Sequence, residues 1–138
     1  MKRKLPDLSR FELQCLRKLW ARKEGTVREV HGDLPEGPSY STVRKIFERL
    51  EEKGAVRRVR LDGRAWLYKP EVSASDIIRK EIRRLLDSLF DGAAPELVSH
   101  LAEMKELSVE DLRAIEQEIG KESRNKPGVP AAEGRKGS

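Results

Sequence analysis

Apolar residues recur along this chain at two different periods. Near the N-terminus Leu13, Leu16 and Trp20 fall at i, i+3 and i+7, with Leu19 beside them, the spacing of an amphipathic helix. Ser9 and Glu12 form a capping box at its start, and Gly25 ends it. Thr26 with Glu29 repeats that box. It opens a short helix with Val27, Val30 and Leu34 inward, closed by Pro35, Gly37 and Pro38. Ser39 then caps a third helix with Tyr40 as its first residue, Val43, Ile46, Phe47 and Leu50 as its buried stripe and Gly54 just past its end. Beyond Gly54 the period changes. Val56, Val59 and Leu61 sit among Arg57, Arg58 and Arg60, and Asp62-Gly63 suits a tight hairpin turn. In the returning strand Trp66 and Tyr68 share a face, and Pro70 ends it.

The second half reads as three more helices. Ser73 with Asp76 starts a long one over about residues 74–90, with Ile77, Ile78, Ile82, Leu85, Leu86, Leu89 and Phe90 apolar. That stripe is wider than a small neighbouring domain can cover. After Gly92 and Pro95, Leu97, Val98 and Leu101 mark a fifth helix. Ser108 with Asp111 opens a sixth, carrying Leu112, Ile115 and Ile119. From Lys121 onward Pro, Gly, Lys and Ser dominate, a composition expected to be disordered. The fold class expected is therefore mostly α. A winged helix-turn-helix over 5–72 precedes a three-helix dimerisation domain over 73–120 and a basic tail over 121–138.

Charge sharpens this division. Residues 1–72 hold 18 Lys+Arg against 11 Asp+Glu, residues 73–120 hold 6 against 11, and the tail holds 5 against 2. A basic front joined to an acidic, apolar-rich middle points to a polyanion-binding module attached to an assembly module. A helix fits the major groove of DNA and reads base edges near its N-terminus. With Val43 and Leu50 inward, Ser41 and Lys45 point directly outward, Arg44 flanks one side, and Thr42 and Arg49 flank the other. These residues are the candidates for base and nearby phosphate contacts. Glu48 and Glu52 also point outward, but on the C-terminal half, where they would repel phosphates unless the helix has left the groove. Arg60 and Arg64 flank the hairpin tip, placed for phosphates or the minor groove. Arg28 sits at the start of the second helix beside its amides, and Tyr40 reads as core or interface.

Other features narrow the function by what they lack. One cysteine, Cys15, excludes an intrachain disulfide and fits a cytoplasmic protein. Its place beside the apolar stripe favours an inert thiol. His31 and His100 have no ligand-spaced partners, so no metal or other cofactor is expected. Trp20, Trp66 and Tyr68 read as core aromatics. No phosphate-binding glycine loop or nucleophile elbow is present, no enzyme is expected, and no run is long and apolar enough for membrane insertion. A protein-interaction adaptor on a winged-helix scaffold is the alternative function, against which the basic wing and polar outer face of the third helix both argue.

The segments LSRFELQCLRKLW, TVREVHGDL, YSTVRKIFERLEEKGAVRR and GRAWLYKP resemble the penicillinase repressor family of the BlaI/MecI type. The later SASDIIRKEIRRLLDSLFDG and LVSHLAEMKELSVEDLRAIEQEI match it in order and spacing, so the resemblance covers residues 5–120. It implies a homodimeric repressor bound to a pseudo-palindromic operator in double-stranded DNA, in the setting of β-lactam-resistance or related genes. It implies dimerisation through residues 73–120, where Ile78, Ile82, Leu85, Leu89, Leu97, Leu101, Leu112, Ile115 and Ile119 supply the apolar surface. It also implies relief of repression by a membrane-bound sensor protease. Staphylococcal members are cut at an Asn-Phe bond where this chain has His100-Leu101, and the copper-responsive branch carries C-terminal cysteines that this chain lacks.

Overall fold

The computed structural model describes residues 4–125. Three helices come first: α1 (Arg10–Arg22), α2 (Val27–Gly32) and α3 (Tyr40–Glu52). The chain then turns back on itself as β1 (Val56–Asp62) and β2 (Ala65–Pro70) and continues into α4 (Ala74–Leu89), α5 (Ala94–Glu103) and α6 (Val109–Asn125).

The helix starts follow the capping chemistry. In α1 the Ser9 hydroxyl accepts from the Glu12 amide while the Glu12 carboxylate accepts from the Ser9 amide, and Thr26 and Glu29 repeat this at α2. Ser39 accepts from the Thr42 amide at α3. Each contact satisfies an amide that the helix cannot. Gly54 follows α3 with φ +77°, the left-handed conformation that glycine adopts without penalty.

The core gathers one face from each early element. Leu16 and Leu19 of α1, Val30 of α2, and Val43, Phe47 and Leu50 of α3 are fully buried. Phe47 packs against Tyr68 of β2 with ring centroids 4.9 Å apart, a favourable tilted aromatic contact. Cys15 is also fully buried, and burial, assisted by the Glu12 charge, pushes its thiol up to about 11. Such a thiol stays protonated and unreactive at neutral pH.

The strands are antiparallel, pairing Val56 with Pro70 and Asp62 with Ala65, with a bulge between Arg58 and Arg60. Paired Asp62 and Ala65 leave Gly63-Arg64 as the two-residue loop, one position later than the Asp62-Gly63 turn expected from the sequence. Gly63 takes the required positive φ of 70°. Tyr68 also exchanges both backbone hydrogen bonds with Gly25, which clamps the base of the hairpin to the α1–α2 junction.

Two boundaries differ from expectation. The first compact unit extends through Arg84, because α4 begins inside it: Ile77 is 1% exposed and belongs to the same core as Phe47. The Trp20 indole donates to the Val72 carbonyl at 2.9 Å and holds the segment leading into α4. The second unit contains the end of α4 with α5 and α6. There α6 runs to Asn125, so Lys121–Asn125 are helical rather than part of a disordered tail. The rest of the expected tail, residues 126–138, lies outside the described residues.

One buried charge ties the first unit together. Glu12, 2% exposed, receives the Lys53 ammonium at 2.6 Å, and Lys53 also donates to the Asp7 carbonyl at 2.8 Å. Burial opposes ionisation of Glu12, but Lys53 and the Ser9 amide outweigh it and hold the carboxyl below its ordinary value. A carboxyl depressed in the folded state stabilises fully above its unfolded pKa, and that contribution is lost as pH falls through the lower folded value. Denaturant titrations of the wild type should therefore show stability declining below about pH 4.5, and Glu12→Gln should flatten the decline. Lys53→Met leaves the carboxylate buried without its partner and should cost about 2–4 kcal/mol at pH 7.

Candidate nucleic-acid interface

Burial of Val43, Ile46, Phe47 and Leu50 dictates which side of α3 meets solvent. Ser41, Thr42, Arg44, Lys45, Glu48 and Arg49 are all exposed. The helix start is well ordered chemically, since the Ser39 hydroxyl lies 3.0 Å from that of Thr42 and 3.4 Å from that of Ser41. The Thr42 hydroxyl is thus engaged in the cap, whereas Arg44, Lys45 and Arg49 reach outward.

Beside α3 lies an open groove of about 440 Å³, walled on the far side by the hairpin. Arg28, Tyr40, Arg44 and Glu48 line it from the helices, and Arg58, Arg64 and Trp66 line it from the wing. The Arg28 guanidinium stacks 5.2 Å above the Tyr40 ring, and the His31 ring meets Tyr40 edge-on at 5.8 Å. Tyr40 is 37% exposed, so it serves as a platform that orients Arg28 rather than as a core residue. Across the groove Arg58 stacks over Trp66 at 5.3 Å.

The wing corrects one sequence expectation. Trp66 is 40% exposed, not a core aromatic. Tyr68, two residues along on the same face, is over Phe47 and buried, but towards the tip the ribbon projects beyond the helices and leaves Trp66 facing the groove. Alternation identifies the shared face and does not reveal where the covering helix stops. Arg58, absent from the candidate set for the same reason, joins the site through this stack.

The arginines divide into paired and unpaired groups. Arg22 forks onto Asp33 at 2.6 and 3.1 Å, Arg57 pairs with Glu71, and Arg58 lies 3.4 Å from Glu51. Arg60, expected at phosphates, is held by Glu24 at 2.8 Å. The hydrogen bond between them raises the Arg60 pKa and lowers that of Glu24. Among the described residues, Arg28, Arg44, Lys45, Arg49 and Arg64 form no ion pair. Cations left without carboxylates on one face create a surface for a polyanion.

The family model for the penicillinase repressor matches residues 8–121. The chain belongs to the penicillinase repressor family. It is 27% identical over 117 residues to the penicillinase repressor of Bacillus licheniformis, covering 83% of this chain and 91% of that one. It is 26% identical over 120 residues to the methicillin resistance regulatory protein MecI of Staphylococcus aureus, covering 83% and 97%. Among solved structures a mutant MarR from E. coli superimposes with a TM-score of 0.51 at 19% identity, over 83% of this chain and 77% of that one, a likeness of fold. This penicillinase repressor family member is thus a winged-helix DNA-binding transcriptional repressor, not an enzyme. Among the described residues no helix is long and apolar enough to cross a membrane.

The ion pairing separates the two wing arginines. Arg64→Ala should lower the slope of log affinity against log salt by about one, as loss of one phosphate contact requires. Arg60→Ala should leave that slope unchanged, because its charge is already neutralised by Glu24. DNA titrations over a series of salt concentrations check both, and equal effects would contradict the pairing.

Proposed function

We propose that this chain is a cytoplasmic homodimer that represses transcription by placing one α3 in the major groove at each half of an inverted-repeat operator. The observation that carries this reading is the unpaired cationic face formed by Arg28, Arg44, Lys45, Arg49 and Arg64 around the exposed N-terminal half of α3. Ser41, Arg44 and Lys45 approach base edges, with Thr42 beside them. Arg28, Arg49 and Arg64 neutralise phosphates on either side. Arg60, bound to Glu24, supports the wing instead.

The second copy is supported by exposed apolar side chains. Ile78, Ile82, Leu85 and Leu89 on α4 and Leu112, Ile115 and Ile119 on α6 are exposed, Leu89 at 70%, while Leu97 and Leu101 on α5 are half-buried. Exposed apolar stripes on α4 and α6 suit a self-complementary interface. Control of a resistance-type gene, as the names of the relatives suggest, belongs to the same proposal. So does relief by a sensor protease. Here His100-Leu101 lies within α5, so a cut at that bond requires local unwinding of the helix.

Gel shifts with the DNA upstream of its own gene test the reading. Affinity should fall about a thousandfold between roughly 50 and 200 mM salt if about six phosphates are contacted per dimer. Arg44→Ala or Lys45→Ala should cost about 1–3 kcal/mol of discrimination between operator and unrelated DNA. If both variants bound the operator as the wild type does, the docking of α3 would be wrong. The double variant Leu89→Glu, Ile119→Glu should sediment as a folded monomer and lose most operator affinity while keeping weak general DNA binding, because the half-sites are no longer engaged together.

A further inference from the structure

Two carboxylates line the groove, Glu48 from α3 and Asp62 from the wing, and Glu48 is the one carried by the helix that reads bases. It lies on the outward stripe of α3 with Ser41 and Lys45, three residues beyond Lys45, and is exposed. It also lines the groove that contains Arg28, Arg44, Arg58 and Arg64. Among the described residues it pairs with none of them. Arg58 instead lies against Glu51, and Arg44 precedes Glu48 by four residues, the less favourable order for a helical ion pair. Elsewhere in the first unit Glu12, Glu24, Asp33, Glu51 and Glu71 each hold a cation. A free carboxylate on a surface that approaches phosphates opposes binding to every DNA sequence. That opposition is offset where the DNA presents a donor at the same place.

We propose that Glu48 is a base-discriminating residue that accepts a hydrogen bond from the exocyclic amine of cytosine in the major groove. In the major groove, cytosine N4 is the donor that Asp and Glu characteristically accept from. At a matched site the carboxylate gains that bond. Where guanine or thymine stands in its place the carboxylate faces acceptors and phosphates without compensation, so it rejects as well as selects. Glu52 supplies the internal control. It lies four residues further along the same helix and is exposed, but it does not line the groove. This inference rests on the docking of α3 proposed above.

The test is selection of duplexes from a random-sequence library by the full-length protein and by its Glu48→Gln, Glu48→Ala and Glu52→Gln variants. The wild type should enrich a site with a fixed C·G pair that Glu52→Gln leaves unchanged. Glu48→Gln should shift that position towards adenine, the base a glutamine amide reads, and Glu48→Ala should leave it without preference. Measured on the selected site, preference for the C·G pair should fall about tenfold in Glu48→Ala, while affinity for unrelated DNA rises. Identical enriched sites for wild type and both Glu48 variants would overturn the proposal. So would a uniform gain in affinity with no change at any position, which would make Glu48 a repelling charge only. Failure of the wild type to enrich any sequence would instead refute the docking of α3 itself.

Discussion

The rotation of α3 about its own axis is the constraint on which the reading surface depends. Val43, Ile46, Phe47 and Leu50 have one buried direction available. A helix that buries them against α1, α2 and β2 must present Ser41, Arg44, Lys45 and Glu48 on the other side. Phe47 does most to hold that rotation, because it is fully buried and its ring lies against Tyr68 of the wing. The same contact seats the base of the hairpin. The aromatic pair therefore links α3 to the wing, whose base is also clamped to the α1–α2 junction through Gly25 and Tyr68. Close packing resists small rotations, so side chains far from the core inherit its precision.

Charge is distributed with the same logic. Arginines that sit beside the core or at element junctions are matched with carboxylates: Arg22 with Asp33, Arg57 with Glu71, Arg60 with Glu24. Exposed pairs of this kind contribute little to stability. Their larger effect is to remove those cations from competition for phosphate. Among the cations left without an ion pair, Arg28, Arg44, Lys45, Arg49 and Arg64 lie on α3, at the start of α2 and at the tip of the wing. A chain with a modest net charge of +5 thereby keeps a strongly cationic working face. The stacking of Arg28 on Tyr40 and of Arg58 on Trp66 restricts the side chains that border the groove, which reduces the ordering cost of binding.

Local chemistry was readable from the sequence and distant pairing was not. Ser9 with Glu12, Thr26 with Glu29, Ser39 and Gly54 act within three residues of themselves, so the first three helices and the exposed set Ser41, Thr42, Arg44, Lys45 and Arg49 could be placed from spacing alone. The Arg60–Glu24 pair spans 36 residues, and nothing in the local pattern distinguishes Arg60 from Arg64. Trp66 and Tyr68 share a face but differ in burial, because a period of two identifies a face without saying where its cover ends. Lys121–Asn125 are helical although they contain no apolar residue that would extend the stripe ending at Ile119, so their pattern gives no sign that α6 continues. Of the interface, the helix face was legible and the ring platforms on either side of the groove were not, since stacking depends on how the wing closes over α3.

The fourth helix shows why a boundary drawn at a change of composition misses a functional connection. Its wide apolar stripe contains two populations. Ile77 is buried in the core that positions α3, whereas Ile78 and Ile82 are exposed on the same helix. The Asp7 carboxylate receives Lys80 at 3.0 Å and Arg84 at 2.9 Å, and its backbone carbonyl receives Lys53, the residue that caps the end of α3. A continuous set of contacts thus runs from the recognition helix through Lys53 and Asp7 to the first three turns of α4. The exposed Asp7 pairs add little by themselves, and burial of Ile77 is what roots the N-terminal end of α4 in this core. Ile78 and Ile82 are thus exposed on the part of α4 that belongs to the first unit, beside a residue buried in the core that positions α3.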